Sequence, residues 1–147
     1  MFGLFKKKEK ELPEFNVLKN SAKKEMYFFR LAQWDWLDDK NIHVVDNNAP
    51  RMITMDPWPQ MIYLDADGQK TVEEYILELA GKYGHKQTIP QELDKEVIDL
   101  IDDLASDQLI GLSNTKQTLP YYIDLPKGKQ DLEKAKKLIL KDGFIKE

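Results

Sequence analysis

The apolar residues of this chain change period at Asp56-Pro57, and that switch bounds the fold. Upstream, Trp34 and Trp36 alternate with polar neighbours, and so do Ile42 and Val44. Four turn formers, Asp38-Asp39-Lys40-Asn41, separate the two runs. Period two marks strands with one buried face, so this stretch predicts a hairpin. Arg51-Met52-Ile53-Thr54-Met55 follows the breaker Asn47-Asn48-Ala49-Pro50 and predicts a third strand. Met26-Tyr27-Phe28-Phe29 fits helix and strand equally.

Downstream, the spacing becomes helical. Asp56 stands as an N-cap before Pro57 at the first helical position. Met61, Ile62 and Leu64 form a short apolar face, and Asp67-Gly68 reads as its stop. Thr71-Val72-Glu73-Glu74 is a capping box. It opens a helix with Val72, Tyr75, Ile76, Leu79, Ala80 and Tyr83 on one side, and Gly84 suits the left-handed stop. A third helix runs from Pro90 to about Asp107, with Leu93, Val97, Leu100, Ile101 and Leu104 as its buried stripe. Residues 109–112 and 121–123 flank a polar stretch and predict a two-stranded wing. Asp131 then caps a basic helix closed by Gly143. Strands followed by three helices and a hairpin make an α+β winged-helix three-helix bundle, with a small N-terminal antiparallel sheet and an added C-terminal helix.

Composition removes several chemistries. The 147 residues suit one domain, and 41% apolar content suffices for its core. The absence of cysteine excludes disulfides, thiol catalysis and cysteine-bound metals. Two histidines cannot make a three-histidine zinc site. His43 reads as a solvent-facing strand residue and His85 as a surface loop residue. Ser21, Ser106 and Ser113 lie in no nucleophile elbow. Asp65-Ala66-Asp67-Gly68 resembles the start of a calcium loop, but Lys70 stands where that loop needs glycine and Ile76 where it needs an acid. No catalytic residue, cofactor or metal ligand is expected, and the chain is not expected to be an enzyme.

No apolar run approaches the ~18 residues of a membrane span. Phe2, Leu4 and Phe5 precede Lys6, Lys7, Lys8 and Lys10, the reverse of a secretory signal. The expectation is a cytoplasmic protein with residues 1–12 as a charged flexible leader. A shallow lipid contact by the same apolar residues is the competing reading.

Charge bears on partners. The formal net charge is −4, and residues 91–107 carry seven acids against Lys95 alone. Such a helix is repelled from the space between phosphates, so nucleic acid is not expected as a partner. A winged-helix DNA-binding regulator is kept as an alternative, using Lys134, Lys136, Lys137 and Lys141 of the last helix. A structural protein–protein adaptor docking through residues 26–36 is another. Peptide binding is the third class, because a small sheet has an edge to which a guest strand can add.

Residues 51–84 resemble the PqqD family, the pyrroloquinoline quinone biosynthesis protein D-like domains also known as RiPP recognition elements. The resemblance rests on a strand, then a short helix, then Asp67-Gly68-Gln69-Lys70-Thr71-Val72, then a glutamate-rich amphipathic helix. A further helix ending at Leu109-Ile110-Gly111-Leu112 extends the match, which spans about residues 40–112. It implies a domain at 13–112, with 113–147 added as a loop and a basic helix packed on it. It also implies a non-catalytic accessory protein that binds the leader of a precursor peptide by strand addition. That leader is presented to a radical SAM or other peptide-modifying enzyme, and a homodimer is compatible with this role. The resemblance assigns the peptide site to Ile42, Val44, Met52 and Ile53 on the strands and Val97, Ile101 and Leu104 on the third helix. Pro57 and Pro59 depart from the family's regular first helix.

Overall fold

The computed structural model describes residues 12–49, 51–84 and 87–143. The N-terminal lysine run and His85 lie outside them. The fold is mixed α+β, with two antiparallel three-stranded sheets. Its elements in order are α1 (Asn16–Lys19), β1 (Tyr27–Arg30), β2 (Trp34–Trp36), β3 (Ile42–Asp46), β4 (Arg51–Thr54), α2 (Pro57–Asp65), β5 (Asp67–Thr71) and α3 (Val72–Gly81). After these come α4 (Leu93–Ser106), β6 (Ile110–Ser113), α5 (Tyr121–Asp124), a 3-10 turn (Lys127–Lys129) and α6 (Leu132–Asp142).

One sheet has the order β2-β3-β4, the hairpin and third strand expected from period two. The other has the order β5-β1-β6 and was not anticipated. Its centre is the ambiguous aromatic run, resolved as strand because both neighbours bond to it. Tyr27, Phe28, Phe29 and Arg30 face Ser113, Leu112, Gly111 and Ile110 across β6. Residues 109–112 therefore do not form a wing with 121–123. Those residues make α5, and β6 takes β1 as its partner.

Two expected helix stops are also revised. Asp67-Gly68 begins β5, where the pairing with β1 shifts register between Tyr27 and Phe29. Gly68 sits there at φ +80, and the Gln117 amide donates to its carbonyl at 2.9 Å. A Cβ would collide with the Gln117 backbone, so only glycine satisfies both the dihedral and the approach. Gly84 is not the stop of α3, which ends at Gly81 with Lys82 as its C-cap. The capping box is formed as expected: Thr71 Oγ1 accepts from the Glu74 amide at 3.1 Å, and Glu74 Oε1 accepts from the Thr71 amide at 2.9 Å.

Helix α4 organises the main core by packing on α1, α2, α3 and β6. It ends in a Schellman turn: the Leu109 amide donates to Leu104 and the Gln108 amide to Ala105, both at 3.0 Å. Gln108 holds φ +61, where glycine is usual. The buried Asp94 carboxylate accepts from the Leu18 amide at 3.0 Å and ties α1 to this helix.

The C-terminal segment has a small core of its own, Tyr122, Ile123 and Ala135 with Leu119, Tyr121, Leu138 and Ile139 around them. Asp131 caps α6 by accepting from the Glu133 and Lys134 amides at 3.0 and 3.2 Å. Gly143 closes it at φ +66, as the sequence predicted.

Candidate functional site

The sheet β2-β3-β4 is held by short polar anchors at both ends. In the β2–β3 turn, Asp38 Oδ1 accepts from the Lys40 and Asn41 amides at 2.8 Å each. Those bonds, the Lys40 one foremost, hold the Asp38 carboxyl below its ordinary pKa. The Gln60 side chain then clasps the same turn from α2. Its Oε1 accepts from the Ile42 amide at 2.9 Å and its Nε2 donates to the Lys40 carbonyl at 2.8 Å. This amide mimics a peptide unit and satisfies buried backbone groups that no strand reaches. In the β3–β4 turn, Asp46 accepts from the Asn48 amide and from Arg51 Nε, both at 2.9 Å, and its pKa is lowered by these two bonds in that order.

The two faces of the sheet differ. Trp34, Val44 and Ile53 stand in register on one face, and Trp34 and Val44 are buried. Asp35, His43 and Thr54 form the corresponding row on the other face, with His43 half-buried.

The two edges also differ. The β2 edge is covered by the chain's own C-terminal segment. Trp34 Nε1 donates to the Ile123 carbonyl at 2.8 Å, the 3-10 turn packs on β2, and Gly128 lies against the Asp35 carboxylate. Among the described residues, β4 pairs with β3 alone, so its outer edge is unpaired. Arg51, Met52 and Thr54 are exposed there, Met52 by 45%. The strand leads into α2, where Trp58 is also exposed and borders a cleft of about 200 Å³ with Met61, Leu79 and Tyr83. A second cleft of about 490 Å³ lies on the other side of Met61, between Lys40, Asn41, Pro57 and Leu64. An unpaired strand edge offers backbone donors and acceptors, and clefts on the helix that follows can accept side chains.

Arg30 locks the covered side. Its side chain is 5% exposed, yet it carries a charge. Nη1 donates to the Leu64 carbonyl at 2.6 Å and the Tyr63 carbonyl at 3.4 Å, in the last turn of α2, where helix carbonyls lack intrahelical partners. Nη2 donates to the Asp124 carbonyl at 3.3 Å, with the Asp124 carboxylate 3.7 Å away. The rings of Trp34 and Tyr63 lie 5.6 and 6.0 Å from the guanidinium carbon. Nε is buried without a hydrogen-bond partner. Burial lowers the Arg30 pKa, opposed by Tyr63 and Asp124, and raises that of Tyr63, whose hydroxyl donates to the Ala32 carbonyl at 2.6 Å.

Of the residues assigned to a peptide site from sequence, five are core. Ile42, Val44, Val97, Ile101 and Leu104 are all buried in the main cluster. Ile53 is half-buried against it and Met52 alone is exposed. A guest at the β4 edge meets Arg51, Met52 and Thr54 instead, because the inward face of each strand is spent on packing. Residues 26–36, considered for an adaptor surface, form β1 and β2, with Phe28, Ala32 and Trp34 buried and Trp36 exposed. Among the described residues, no group of three metal-ligating side chains converges, and no helix is long and apolar enough to cross a membrane. No protein-family model, no curated protein and no solved structure matches this chain.

Proposed function

We propose that this chain is a non-catalytic peptide-binding accessory protein of PqqD-like, winged-helix type. The order α2-β5-α3-α4-β6, with β1 between β5 and β6, supports that architecture. The observation that carries the function is the unpaired β4 edge. The chain's tail covers the opposite edge of the same sheet, so among the described residues β4 is the rim of that sheet left for an extended guest. The guest is the leader of a precursor peptide, delivered to a radical SAM or other modifying enzyme in the cytoplasm. It hydrogen-bonds along β4, and its side chains pack on Met52 and in the clefts around Met61. The alternative DNA-binding reading is weaker, since α4 is the helix that would enter a groove and its outer face is acidic.

The test is titration of a labelled leader peptide, taken from a precursor encoded beside this chain, with hydrogen exchange read in parallel. Binding at ~10 µM or tighter is expected, about 7 kcal/mol. New protection at the amides of residues 51–54 should accompany it. A folded protein that leaves the leader unbound at tens of micromolar, or binds it without slowing exchange in β4, overturns the reading.

A further inference from the structure

The tail holds a second feature that the β4 edge does not explain. A groove of about 470 Å³ runs between α6 and the body, lined by Leu132, Lys136, Ile139 and Leu140 on one wall and Gln33 and Lys127 on the other. Leu132 and Leu140 are 73% and 49% exposed. They stand eight residues apart on one helix face, about 12 Å along the axis, with Lys136 midway. Lys136 on the helix wall and Lys127 on the opposite wall line this groove, and among the described residues neither is in an ion pair. Lys134 is turned away onto the Tyr121 ring at 4.3 Å.

We infer that this groove docks an acidic amphipathic helix of a partner protein. The charge complementarity is specific: an apolar floor with one unpaired lysine on each wall matches a leucine ridge flanked by carboxylates. The walls decide the shape of the guest. The α6 wall bonds its backbone groups within the helix, so an extended strand would find no ladder of main-chain partners along it. A helix satisfies its own backbone and needs only side-chain complementarity. A second copy of the chain is a poor occupant, because the apolar stripe of its acidic α4 is buried in its own core. A flat lipid surface is a poorer match than a ridge, because the apolar residues line a concavity.

The probe is a fluorescein-labelled helical peptide carrying glutamates on both sides of a leucine ridge, titrated with the full chain. Saturable binding at ~50 µM or tighter is expected at low salt, and it should weaken severalfold at high salt. Lys136→Glu and Leu132→Ser should each weaken it about fivefold or more while leaving the thermal midpoint in place, since both side chains are exposed. No saturable binding at low salt overturns the inference. So does equal affinity for the glutamine version of the peptide, or unchanged affinity in both variants. Capture by phosphatidylserine vesicles in place of the peptide overturns it in favour of a membrane surface.

Discussion

Replacing Arg30 by methionine tests the argument about how the tail is held. Methionine keeps an apolar stem in the same space and removes the guanidinium. The Leu64 carbonyl then loses a charge-assisted bond of 2.6 Å in a partly buried setting, and the weaker contacts to Tyr63 and Asp124 go with it. A hydrogen bond to a charged group contributes about 1.5–3 kcal/mol, and an orphaned buried carbonyl costs about 1–3. Loss of the aromatic contacts adds about 1 kcal/mol. Against this, the variant no longer buries a charge or the unpartnered Nε. Asp124, mostly in water, is released at little cost. The net expectation is a loss of about 2–4 kcal/mol, a fall in thermal midpoint of roughly 10 °C for a chain this size. Arg30→Lys should recover little of it, since an ammonium cannot fork between the α2 carbonyls and Asp124. Calorimetry reads the midpoint, and hydrogen exchange should quicken first in α5. An Arg30→Met variant as stable as the parent would refute the reasoning. Desolvation would then cancel the hydrogen bonds, as happens when some buried ion pairs are replaced by apolar groups.

Two further outcomes follow from single positions. Gln108→Gly should stabilise the chain by about 0.5–1 kcal/mol, because the left-handed strain at φ +61 is relieved and part of the gain goes to glycine's freer unfolded state; denaturant melts that show a loss would contradict the Schellman assignment. Asp38 and Asp46 have folded-state pKa values below the ordinary 3.8, so their turn anchors contribute fully above that pH and are lost as the pH falls through the lowered values. Amide shifts of Lys40, Asn41 and Asn48 followed by NMR should titrate with midpoints below 3.8, and midpoints at or above it would refute the anchoring.

Local signals in the sequence were reliable where the chemistry is local. The capping box at Thr71 and Glu74, Pro57 at a helix start, and Asp131 with Gly143 at the ends of α6 each involve groups within a few residues. The alternation of Trp34, Trp36, Ile42 and Val44 likewise marked the two strands of a hairpin that the structure forms. The candidate site was less legible. Apolar strand residues were read as peptide contacts, although the same alternation that finds a strand also says its apolar face is taken by the core. Met52 was found because it belongs to the other face. Gln60 and Arg30 carried no pattern at all, since their partners lie 18 or more residues away.

The helix starts at Pro57, Thr71 and Asp131, the stop at Gly143, the strand periodicity and the acidic and basic helix faces were thus set by the chain itself, through contacts closed within a turn or two. Tertiary structure decided the rest. It drew 27–30 into the middle of a second sheet, turned the expected helix stop at Asp67-Gly68 into the start of a strand, and laid the tail over β2 while leaving β4 open. Each of these depends on backbone groups finding partners far along the chain, and a hydrogen-bond donor does not record in its own sequence which distant acceptor will reach it first.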